Sequence, residues 1–146
     1  MAIKIHLRTI LLLFIPLALL SLLAHAILDN RPIPWQNYSQ LNLDRHLADG
    51  KTVLLFFDAD WDATAAYTKN TAFESLRLKR LLRCPETVPM IADCTVSNDE
   101  ISQIHRDVAK SRTSVVAIFF NGERSEPKIL EGIVSENDLY IALTKK

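Results

Sequence analysis

The sequence predicts an α/β domain, a central mixed sheet flanked by helices, behind one N-terminal transmembrane or signal helix. Three observations lead there. Strand-like and helix-like segments alternate from residue 35 to the C-terminus. Two strand-length runs, 52–57 and 115–120, are apolar on both faces, which implies cover on both sides of a sheet. Residues 9–28, TILLLFIPLALLSLLAHAIL, contain no Asp, Glu, Lys or Arg.

Composition narrows the classes. The chain has 146 residues, enough for one domain, with 17 Lys+Arg against 17 Asp+Glu and a net charge of +0. No positive excess exists to displace counterions, so no nucleic-acid partner is expected. Charged residues are 23% and apolar residues 49%, which excludes a disordered chain. Two cysteines exclude a disulfide-built miniprotein and a four-cysteine zinc site. No metal or cofactor is expected. Mean hydropathy is +0.09, with the excess concentrated in residues 9–28.

Residues 1–28 read as a signal-anchor or signal peptide. A twenty-residue helix spans about 30 Å, the thickness of a bilayer core. Lys4 and Arg8 precede the run and Asp29 ends it, so the N-terminus is expected in the cytoplasm and the remainder outside it. Ala24-His25-Ala26 fits the small-x-small pattern of a cleaved signal, giving a secreted protein cut near Ala26. The apolar run continues through Ile27 and Leu28, which favours an uncleaved single-pass anchor, periplasmic on its far side if bacterial. Residues 29–34 form a linker, with Pro32 and Pro34 holding it extended.

The domain occupies 35–146. Trp35–Tyr38 is a candidate first strand. Leu41, Leu43, Leu47 and Ala48 follow helical spacing, and Gly50 stops the helix. The strand 52–57 comes next. Asp62 is placed to cap a helix that runs without Gly or Pro from Ala63 to Leu82. Its buried stripe is Phe73, Leu76, Leu78, Leu81 and Leu82, with Arg77, Lys79, Arg80 and Arg83 on the wet side. Val88–Ala92 is a strand, and Ser97 or Asn98 caps a helix bearing Ile101, Ile104, Val108 and Ala109. Val115–Phe120 is a strand, Asn121-Gly122 a hairpin turn and Lys128–Leu130 its antiparallel partner. Ser135 with Asp138 opens a last helix carrying Leu139, Ile141, Ala142 and Leu143.

Other chemistry-bearing residues find structural roles. Cys84 and Cys94 flank the strand 88–92, which holds them roughly 16 Å apart, beyond disulfide reach. Asp58, Asp60 and Asp62 alternate as in a calcium loop, but Ala63 and Lys69 stand where that loop needs Gly and Glu. His46 and His105 fall on separate helices. Asn37-Tyr38-Ser39 is a glycosylation sequon, meaningful only in a eukaryotic secretory pathway.

Ala59-Asp60-Trp61, directly after the central strand, resembles the A-D-W-C-x-x-C-K segment of thioredoxin-like domains. Leu47-Ala48-Asp49-Gly50-Lys51 resembles L-A-x-G-K, Asn70-Thr71-Ala72-Phe73 a T-F segment, and Ala92-Asp93-Cys94-Thr95 an A-D-W-T segment. Together with the element order, these make residues 35–146 similar to the thioredoxin-like superfamily. The most similar member is the C-terminal periplasmic domain of bacterial transmembrane thiol:disulfide interchange reductases. Thiol–disulfide exchange needs a thiolate at a helix N-terminus and a second thiol to resolve the mixed disulfide. The resemblance puts those two positions at Asp62 and Ala65, the family's cis-proline at Ser114, its buried acid at Phe56 and its lysine at Ala66. It therefore implies a fold kept without its catalytic cysteines. The expected function is a membrane-anchored, extracytoplasmic, non-catalytic module, with no catalytic residue. It would bind a protein or extended peptide in a groove at Trp61, Asp62, Ala65 and Ser114. The alternative is a divergent thiol:disulfide interchange protein working through Cys94, alone or with a membrane redox partner.

Overall fold

A computed structural model describes residues 16, 18–24, 30–109, 114–120 and 126–145. The chain divides into two compact units, Met1–Arg31 and Pro32–Lys146. In the first, residues 18–24 are helical and Leu19, Leu20, Leu22 and Leu23 are exposed. Among the described residues no helix is long and apolar enough to cross a membrane. Most of the 9–28 run, the end of the cleavage motif and the 121–122 turn lie outside the described residues.

The second unit is a five-stranded sheet with helices on both faces. Its strands are β1 (Gln36–Asn37), β2 (Thr52–Asp58), β3 (Thr87–Asp93), β4 (Val115–Phe119) and β5 (Lys128–Glu131). Its helices are α1 (Gln40–Ala48), α2 (Ala63–Thr71), α3 (Leu76–Leu82), α4 (Asp99–Ala109) and α5 (Glu136–Thr144). The strand order is β1-β3-β2-β4-β5. β3 runs parallel to β1 and β2, while β4 is antiparallel to both β2 and β5. Pro89 falls where β1 does not reach, since that pairing begins at Met90.

Side chains of β2 alternate between two cores, as the period of a strand requires. Val53, Leu55 and Phe57 meet Leu43 and Leu47 of α1 and Ile104 and Val108 of α4. Leu54 and Phe56 meet Ala65 of α2, Leu78 and Leu82 of α3, and Leu139 and Leu143 of α5. The doubly apolar runs are thus central strands covered on both faces.

Local signals set the helix ends. Ser39 Oγ accepts from Asn42 N at 3.2 Å and opens α1, and Gly50, at φ +72°, lets the chain turn back after it. Asn98 supplies the cap of α4, its side chain accepting from Ile101 N at 3.1 Å. Ser135 and Asp138 form a reciprocal capping box on α5.

The expected continuous helix from 63 to 82 is instead two helices. Phe73 is buried between Trp35 (centroids 4.9 Å apart) and Phe56 (5.1 Å), and Ser75 adopts an extended backbone before α3. Anchoring that ring breaks the helical register and rotates α3. Leu76 consequently faces solvent at 49% exposure, whereas Lys79 is buried and reaches Glu74 at 2.5 Å. Both reverse the expected pattern. Leu41 on α1 is also exposed.

Candidate functional site

β2 and β3 end together, with Asp58 beside Asp93. β4 begins at the same end, because its register with β2 carries Val116 against Phe56 and so brings Ser114 level with Asp58. The turn after β2 presents Trp61, which is 61% exposed. Asp62 then caps α2: its Oδ1 accepts from Thr64 N at 2.8 Å and Ala65 N at 3.1 Å, and its residue is buried. The carboxylate thereby satisfies free N–H groups at the positive end of the helix. Ala65 lies wholly inside the core.

Ser114 is buried and hydrogen-bonds to Gly132 twice. Its hydroxyl donates to Gly132 O at 3.4 Å, and its carbonyl accepts from Gly132 N at 3.0 Å. Two residues on, Val134 N donates to Thr68 Oγ1 of α2 at 3.4 Å. The 132–134 turn is therefore fastened to both β4 and α2, and it exposes Ile133. Thr68, Gly132 and Ile133 were not singled out from sequence. A polar Thr on the buried side of α2 was the available signal.

Cys94 lies just past β3. Its N–H donates to Asp58 O at 2.7 Å and its Sγ to Ala92 O at 3.7 Å. The residue is partly exposed, and burial pushes its thiol up in pKa, with Asp93 and Asp58 adding to the effect. Cys84 lies beyond the other end of β3, exposed, and both thiols are free. At the α2 end, Cys94, Trp61 and Val96 face Ile101, His105 and Arg106 across a hollow of about 270 Å³. Asp62, Ala65 and Ser114 do not line it. The nominated residues thus share one end of the sheet but not one cavity.

The alternating aspartates serve different partners. Asp58 pairs with Lys69 at 2.5 Å, and Asp62 is occupied by its cap. Asp60 N donates to Thr95 Oγ1 at 3.1 Å, while Thr95 N donates to Asp93 Oδ1 and holds that carboxyl below its usual pKa. Among the described residues no three His, Cys, Asp or Glu side chains are grouped to hold a metal ion. Phe56, where the resemblance puts a buried acid, sits in the aromatic cluster with Trp35 and Phe73.

The fold is shared with solved structures. A thioredoxin from Thermus thermophilus superposes with a TM-score of 0.60 at 14% identity, over 77% of this chain and 85% of its own. A mutant thioredoxin from Halobacterium salinarum gives 0.55 at 18% identity, over 79% and 95%. A poplar thioredoxin h gives 0.53 at 19% identity, over 75% and 93%. The chain therefore has the thioredoxin fold. No protein-family description matches its sequence, and no curated protein does.

Proposed function

We propose that this protein is a non-catalytic thioredoxin-fold module, anchored by residues 9–28 with its domain on the extracytoplasmic side of a membrane. It binds a protein or extended peptide at the sheet end bearing Trp61, Asp62 and Ser114. One observation carries the reading: the N-terminus of α2, where exchange chemistry needs a thiolate, is closed by the Asp62 carboxylate. Ala65, buried beneath it, offers no resolving thiol. The exposed Trp61 and Ile133 remain as apolar contacts for a partner. The similarity in sequence to periplasmic domains of membrane thiol:disulfide reductases belongs to this proposal, as does the anchor. The exposed leucines of the 18–24 helix favour an apolar surrounding for that segment.

A second reading rests on Cys94, whose thiol borders the same hollow as Trp61. Its raised pKa and partial burial weigh against it, since the thiolate is the nucleophile. A photo-crosslinker at position 61 of the full chain in its native membrane separates the two. Capture of one reproducible protein, unchanged by C94S, supports the module. A spread of disulfide-linked adducts that forms without irradiation and vanishes in C94S contradicts it.

A further inference from the structure

We propose that the hollow beside Trp61 is a docking site for an extended segment of a partner protein that presents an apolar side chain next to an Asp or Glu. This rests on the binding-module reading and names the chemistry of what that module binds.

One wall of the hollow is made by Trp61 and Val96, with Val96 73% exposed. The other is made by Ile101, His105 and Arg106 from α4. His105 is held in place by edge-on packing against Phe57, with centroids 5.0 Å apart. Arg106 is exposed and has no carboxylate partner among the described residues.

Three acids of this end of the domain have partners of their own, while Asp60 and Asp99 are exposed. Asp58 is paired with Lys69, Asp93 with Thr95, and the Glu100 carboxylate accepts from the backbone of Gln40 on the far side of α4. Among the described residues no acid lines the hollow. A guanidinium beside an apolar wall, with no carboxylate partner among the described residues, is complementary to a carboxylate carried next to an apolar side chain. The apolar residue would pack on Trp61 and Val96, and the carboxylate would meet Arg106.

The test uses the full chain in detergent and three pools of short capped peptides. Each pool has randomised flanks and a central Leu-Glu, Leu-Gln or Leu-Lys pair. Binding is read from Trp61 fluorescence, with W61F as the control for that signal. The Leu-Glu pool is expected to bind about tenfold more tightly than Leu-Gln, the size of one charge-assisted hydrogen bond. R106Q, at an exposed position, should remove that preference, so that the Leu-Glu and Leu-Gln pools bind alike. Equal binding of the Glu and Gln pools, or a preference for Lys, overturns this inference and leaves the module reading standing. Binding of none of the pools contradicts both.

Discussion

Asp62 shows how closely one side chain can suit the start of a helix. Its oxygen takes two of the orphan N–H groups of α2, so D62A should lower stability by about 1 kcal/mol, read from urea denaturation, whereas D62N should cost less. The helix end still carries the field that activates thiols. D62C should therefore give a thiol that alkylates faster near neutral pH than Cys94, whose thiol is pushed up in pKa. Equal alkylation rates would contradict the assignment of the α2 terminus.

His46 is a second residue with a defined sign. Its Nε2 meets Gln36 Oε1 at 3.0 Å, while Nδ1 is buried without a partner among the described residues. Burial, then Lys51, lowers its pKa below 6.5, with Arg45 adding to this and Asp49 opposing it. The folded state thus binds fewer protons than the unfolded state, and stability should fall as pH drops through 6.5 toward the folded value. Denaturation midpoints of the wild type and H46Q, compared on either side of that window, should diverge on acidification, with the variant flatter.

At the scale of elements, most of the architecture could be read from periodicity and caps. The runs at 52–57 and 115–120 became central strands, and the Ser135–Asp138 box opened the last helix as expected. The split between α2 and α3 was hidden because no Gly or Pro marks it. It depends on Phe73 reaching across to Trp35 and Phe56, a tertiary contact that outweighs helix propensity. F73A should cost about 3–5 kcal/mol in urea unfolding, because it empties a site that is only 2% exposed. The same rotation explains why Lys79, read as a surface cation, lies buried along its stem with its head at Glu74.

At the scale of the molecule, the sheet order and the two cores define the thioredoxin fold, and the candidate site was only partly legible. Trp61, Asp62 and Ser114 could be placed because they follow or precede strands whose ends the sequence marks. The fastening of the 132–134 turn to Thr68 and Ser114 could not, since it joins residues far apart in the chain. Nor could the hollow shared by Cys94 and α4, which depends on how that helix lies against β3. The proposed function is that of a thioredoxin fold without exchange chemistry. The most direct measurement is catalysed reduction of a protein disulfide by the full chain with dithiol present, compared with C94S. The account predicts no turnover above the uncatalysed rate in either protein. Turnover by the wild type that C94S abolishes would contradict it.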